Sequence, residues 1–198
     1  MPGGKLIVLS APSGSGKTTI AHAVLGRIPS LRFSVSATTR PRRSGETEGR
    51  DYFFLSEEEF GRRVRGGEFV EWEEIYGHRY GTLEAEVRRA VQGGRHIIFD
   101  VDVKGALSIR ERFPEALLIF IRPPDRKTLE RRLRGRQTED GEALRRRLER
   151  VPMEMEMERR FDHTVVNDDV HRASEEVHAI IQRHLQQQGD DKACPSSR

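Results

Sequence analysis

Short apolar runs separated by polar turns set the rhythm of the chain. Residues 5–10 carry Leu6-Ile7-Val8-Leu9 without a polar break and read as a buried strand. Beyond a turn-rich stretch, Ile20, Ala21, Val24 and Leu25 recur at helical spacing, so a helix over 18–27 follows directly. Residues 31–36 read as a second strand, 40–49 as a polar loop and 52–55 as a strand. Ser56 followed by Glu57, Glu58 and Glu59 has the form of a capping box, opening a helix through Val64 that Gly66-Gly67 ends. Residues 69–72 read as a short strand. Leu83, Val87, Ala90 and Val91 mark a helix closed by Gly93-Gly94. Residues 96–101 and 116–121 are two more apolar strands, with a helix over 106–112 between them. Strands alternating with crossover helices predict an α/β fold, a parallel sheet with helices on both faces.

The later pattern is different. Residues 128–133 and 142–151 are Arg-rich helical stretches around a loop at 135–141, and 164–166 is a last short strand. Over 175–188, Val177, Ile180, Ile181 and Leu185 lie on one face of an amphipathic helix. Residues 189–198 show no apolar periodicity and read as a flexible tail. No internal repeat is visible. The α/β core is interrupted by two polar insertions, at about 35–85 and 124–160.

Composition narrows the function. A chain of 198 residues suits one domain with lobes. No apolar stretch approaches the length of a membrane span, and the N-terminal run is too short for a signal-peptide core. Cys194 stands alone, which excludes disulfides and cysteine zinc sites and points to the cytoplasm. Of the 35 basic residues, 30 are arginine, the side chain suited to forked recognition of phosphate. Between Arg122 and Arg160, thirteen basic residues face nine acids, but no aromatic residue is interleaved. That argues against nucleic acid as a partner.

Ala11-Pro12-Ser13-Gly14-Ser15-Gly16-Lys17-Thr18 lies between the first strand and the first helix. There, glycines can turn several N–H groups toward one anion and the helix dipole adds to the pull. Lys17 can reach the β- and γ-phosphates, and the Thr18 hydroxyl can ligate Mg²⁺. Ala11 stands where the usual pattern begins with glycine. Asp100, closing the strand His96-Ile97-Ile98-Phe99, is the candidate carboxylate for the metal, partly through water. Asp102-Val103-Lys104-Gly105 has the form of a GTPase D-x-x-G, but no N-K-x-D follows it.

A longer stretch decides between phosphoryl transfers. Phe33-Ser34-Val35-Ser36-Ala37-Thr38-Thr39-Arg40-Pro41-Arg42-Arg43-Ser44-Gly45-Glu46-Thr47-Glu48-Gly49-Arg50-Asp51-Tyr52 resembles the guanylate kinase family. The likeness continues through Glu68-Phe69-Val70-Glu71-Trp72, Tyr80-Gly81-Thr82, Asp100-Val101-Asp102, the Arg131–Arg147 stretch and Val165-Val166-Asn167-Asp168. It implies a P-loop NTPase-type sheet and Mg²⁺-dependent transfer of a phosphoryl group from ATP to GMP or dGMP. It also implies a GMP-binding lobe at 36–84, a lid at 124–160 and a core from 1–35, 85–123 and 161–188. Around ATP it places Ala11, Pro12, Ser13, Gly14, Ser15, Gly16, Lys17, Thr18, Thr19 and Asn167. Arg40, Arg43, Tyr52 and Tyr80 would hold the phosphate of GMP; Ser36, Glu71 and Thr82 the guanine, with Asp100 beside them. Lys17, Arg132, Arg136 and Arg147 would carry catalysis. The partners implied are small molecules, with the chain a monomer or weak homo-oligomer. Ala11, Thr82 and Lys104 depart from the commonest family form, and none removes a reacting group. The competing readings are a binding-only relative, which typically lacks an intact phosphate loop, and a kinase for another small acceptor.

Overall fold

A computed structural model describes residues 3–75, 77–134 and 141–186. In chain order these form β1 (Leu6–Ser10), α1 (Lys17–Leu25), β2 (Leu31–Phe33), β3 (Ala37–Thr38), β4 (Phe53–Phe54) and α2 (Glu57–Arg65). Then come β5 (Phe69–Ile75), β6 (His78–Leu83), α3 (Glu84–Gln92), β7 (His96–Asp100), α4 (Val103–Arg112) and β8 (Leu117–Arg122). The chain continues with α5 (Arg126–Arg134), α6 (Gly141–Glu156), a 3₁₀ turn (Met157–Arg160), β9 (His163–Val166) and α7 (Val170–Gln186).

The main sheet has the order β2-β7-β1-β8-β9 and is parallel throughout, as the alternating pattern predicts. Every residue of β1 is buried because helices cover both faces. Successive side chains then enter opposite layers. Ile7 and Leu9 pack with Ile20, Val24, Val177 and Ile181 of α1 and α7. Leu6 and Val8 pack with Val87, Ala90, Ala106 and Ile109 of α3 and α4.

A second, mixed sheet of order β4-β3-β6-β5 lies within the first insertion. Its own small core joins Ala37, Phe60, Phe69 and Leu83, with Phe60 and Phe69 stacked 4.4 Å apart. Ser56 caps α2 by accepting the Glu59 N–H, as the Ser-Glu-Glu-Glu pattern predicts. β3 and β6 were not legible as strands. Leu83 ends β6 and caps α3 instead of beginning the helix proper.

Helices α4, α6 and α7 run further than their periodicity predicts. Asp102 caps α4 through the Gly105 N–H at 2.8 Å, so the D-x-x-G pattern is a helix cap here and the helix begins at Val103. Asp169 accepts the Arg172 N–H at 2.9 Å and starts α7 ahead of its apolar stripe. Helix α6 continues through Pro152 to Glu156. Proline removes one N–H, and packing of Leu148, Val151 and Met155 on Leu129 and Leu133 of α5 holds the segment helical nonetheless. No helix among the described residues is long and apolar enough to cross a membrane. The expected tail at 189–198, with Cys194, lies outside the described residues, as does most of the loop at 135–141.

Candidate active site

β1 lies at the centre of its sheet, flanked by β7 and β8, and its C-terminal end is where the connections diverge. Open α/β sheets bind ligands at such a point. The chain leaves β1 there through residues 11–16 and opens α1 at Lys17. Gly14 and Gly16 both have φ of +87°, a left-handed conformation that suits glycine. A Cβ on Gly16 would stand 2.4 Å from Asn167 Nδ2, and one on Gly14 would stand 2.8 Å from Leu133 Cδ2. Gly16 caps α1 without a side chain, so the loop and the first helical turn present backbone N–H groups to an external anion.

Asp100 ends β7 beside Leu9, which brings its carboxylate over the start of α1. Lys17 Nζ lies 2.7 Å from Asp100 Oδ1 and also donates to the Val101 carbonyl. Thr18 Oγ1 donates to Asp100 Oδ2 at 2.6 Å. These are hard oxygens on neighbouring elements, a donor set that fits Mg²⁺ held through one or two protein groups, water and phosphate. Asn167, at the end of β9, is 2% exposed and donates from Nδ2 to the Ser15 carbonyl at 2.6 Å. Its Oδ1 is buried without a partner. Arg132 of α5 donates to the Asn167 carbonyl at 3.0 Å, and Arg147 of α6 lies 3.3 Å from Ser13 Oγ.

The second sheet forms the other wall. Glu71 on β5 and Thr82 on β6 are cross-strand partners, and Thr82 Oγ1 donates to Glu71 Oε1 at 2.7 Å. Gly81 permits this closeness: a Cβ there would meet the Glu71 carbonyl at 2.8 Å. Gly105 does the same from α4, where a Cβ would lie 3.3 Å from Glu71 Oε2. Burial pushes the Glu71 carboxyl up to about 7, and the charges of Asp102 and Glu73 add to the rise. The Arg40 guanidinium lies 5.3 Å from the Tyr52 ring centre and pairs with Glu46 at 2.6 Å. The Tyr52 and Tyr80 rings meet edge to face at 6.2 Å.

The guanylate kinase family profile matches residues 3–184. The chain belongs to the guanylate kinase family. The guanylate kinase of Chlorobium luteolum is 48% identical over 183 residues, spanning 92% of this chain and 93% of that protein. That of Salinibacter ruber is 49% identical over 187 residues, spanning 93% and 99%. Among solved structures, the guanylate kinase from Anaplasma phagocytophilum superposes with a TM-score of 0.71 at 29% identity, over 94% of this chain and 88% of that one.

For this member of the guanylate kinase family, the predicted residues separate into groups. Loop 11–18, Asp100, Asn167, Arg132 and Arg147 meet at the C-terminal end of β1. Glu71 with Thr82, and Arg40 with Tyr52 and Tyr80, gather on the second sheet. Arg43 joins the latter through its backbone N–H, which donates to Glu46 at 2.7 Å. Ser36 enters as backbone, its carbonyl accepting the Phe53 N–H at 2.9 Å, and Thr19 is an exposed residue of α1. Arg136 lies outside the described residues.

Sequence reasoning missed Glu73, Asp102, Arg150 and Glu154. Asp102 and Glu73 flank the Glu71 site. Arg150 joins them from α6, and buried Glu154 faces the Ser13 N–H. The available signal was helical spacing: Arg147, Arg150 and Glu154 stand three and four residues apart.

Proposed function

We propose that this chain transfers the γ-phosphoryl group of ATP to GMP, giving ADP and GDP, reversibly and with Mg²⁺, and that dGMP is also accepted. The observation that carries this reading is the pairing of Glu71 and Thr82 opposite an intact phosphate loop with Lys17, Thr18 and Asp100 in contact. An ionised carboxylate at Glu71 can accept both the N1–H and the 2-amino group of guanine. Adenine offers neither donor on that edge.

Arg40, Arg43, Tyr52 and Tyr80 suit a phosphate monoester, with two guanidinium forks and two phenol hydroxyls. Ser36 completes the acceptor site beside the base. The acceptor needs no general base, because a phosphate monoester has its second pKa near 6 and is largely dianionic at neutral pH. What the reaction requires is alignment and charge neutralisation in a loose transition state. The loop 11–18, with Thr19 behind it, cradles the phosphates of ATP, and Asn167 stands by the adenine. Lys17 supplies positive charge at the β- and γ-phosphates. Thr18 and Asp100 would hold Mg²⁺, which supplies further charge neutralisation across those phosphates. To Arg132, Arg136 and Arg147 of the lid stretch we assign neutralisation of the charge on the moving group. Closure of lid and GMP lobe would exclude water and so suppress ATP hydrolysis. The proposed compartment is the cytoplasm.

The test is a coupled ADP-release assay with Mg·ATP and, separately, GMP, dGMP, AMP and UMP. The expected result is rapid turnover with GMP, slower turnover with dGMP and none with AMP or UMP, all abolished by EDTA. Folded protein that binds GMP without turning it over would make the chain a binding module instead.

A further inference from the structure

Four carboxylates converge between the two halves of the site: Glu71 and Glu73 on β5, Asp102 at the head of α4 and Glu154 on α6. Glu71 and Glu73 are two residues apart on a strand and share a face. Glu73 and Glu154 are each held above the ordinary carboxylate range, by burial first and by the charge of Asp102. The side chain that meets three of these acids is Arg150. Its Nη2 lies 3.1 Å from Glu73 Oε1 and 3.3 Å from Asp102 Oδ2, and its Nε lies 3.9 Å from Glu154 Oε1. These partners belong to three separate pieces: the second sheet, the main sheet's β7–α4 connection, and α6 itself. On α6, Arg147 precedes Arg150 by three residues and Glu154 follows by four, which puts all three on one face. That face touches the phosphate loop at Ser13 through Arg147 at the hydroxyl, and the buried Glu154 carboxyl is turned toward the same residue.

We propose that Arg150 is a positioning residue for phosphoryl transfer, clasping α6 to β5 and to the head of α4 so that Arg147 and Glu154 are held on the phosphate loop. The proposal rests on the reading given under Proposed function. An isolated exposed ion pair contributes little to stability. Here one guanidinium serves three carboxylates, and Glu154 is only 6% exposed, so the contacts form a network whose members depend on one another. The contacts of Arg150 are with carboxylates of the protein itself. It acts by setting where Arg147 stands, and small displacements of such a group lower turnover steeply.

The experiment measures kcat and KM for R150M, R150K, E73Q and the R150M/E73Q double variant at saturating Mg·ATP with GMP varied. R150M is expected to lower kcat by about tenfold while KM for GMP moves less than about threefold. R150K should recover part of the loss, and E73Q should show a smaller loss of the same kind. The double variant should be no worse than R150M alone, because both changes open the same clasp. E73Q leaves Arg150 paired to Asp102 and Glu154, so it keeps the test informative if R150M folds poorly. Additive losses, or an R150M kcat within twofold of wild type, would overturn the clasp while an active wild type left the proposed reaction standing. A wild type inactive on GMP would overturn both.

Discussion

In the role proposed for it, Glu71 must be ionised to read guanine, yet its surroundings oppose ionisation. Burial pushes it up to about 7 from an ordinary value of 4.5, helped by Asp102 and Glu73. As pH falls below 7, Glu71 gains a proton and loses its capacity to accept two N–H bonds. KM for GMP is therefore expected to rise as pH drops from 7.5 to 6, while KM for ATP stays nearly level. GMP itself titrates near 6, so Glu71→Gln serves as the reference: it shares the phosphate titration and should lack the extra dependence. Identical profiles for the two proteins would remove Glu71 from the base site. Glu71→Ala should lose GMP use by a large factor with ATP binding retained. The same shift has a consequence for the unliganded fold. Between about 4.5 and 7 the native state binds a proton that the unfolded chain releases, so stability falls as pH rises through that window. Glu71→Gln should accordingly raise Tm at pH 8, by progressively less as pH falls through the window, and leave it nearly unchanged only below about pH 4.5.

At the scale of elements, the strand–loop–helix formed by β1, residues 11–16 and α1 was legible because all its determinants are local. An apolar run, two glycines and a periodic helix follow one another within about twenty residues. Gly16 shows how tight the result is, with φ of +87° and Asn167 Nδ2 in the space a Cβ would occupy. Left-handed strain in a non-glycine residue costs on the order of 1–3 kcal/mol. Gly16→Ala should weaken Mg·ATP binding, read by calorimetry, by at least about tenfold, with the far-ultraviolet circular dichroism unchanged. An unaltered dissociation constant would show that the loop does not depend on this conformation. β6 was illegible for the opposite reason. His78-Arg79-Tyr80-Gly81-Thr82 has neither an apolar run nor a clear alternation, and it is a strand because β5 and β3 pair with it on either side.

Across the whole molecule, the site joins the main sheet, the second sheet and the α5–α6 pair. The arginines of that pair come from segments whose sequence reads equally well as a solvated helix face. Arg147 reaches Ser13, and Arg132 reaches Asn167. If their charge is needed only as the phosphoryl group moves, Arg147→Ala and Arg136→Ala should each lower kcat by at least about tenfold, with KM for GMP changed little. A loss confined to KM would place either one in substrate binding.

The sequence by itself determined the parallel α/β core, the phosphate loop and the family, because each depends on local order along the chain. It also singled out Glu71 and Thr82, since both fall within motifs, and the fold brings the two side chains together. It was silent on which face of β1 each apolar residue enters, because a strand buried on both sides has no polar face to orient it. Tertiary structure alone decided that α6 survives Pro152 and that Arg150 faces three acids. Each depends on residues distant in the chain meeting in space: Glu73 and Arg150 are 77 positions apart and touch only once the sheets and α6 have packed.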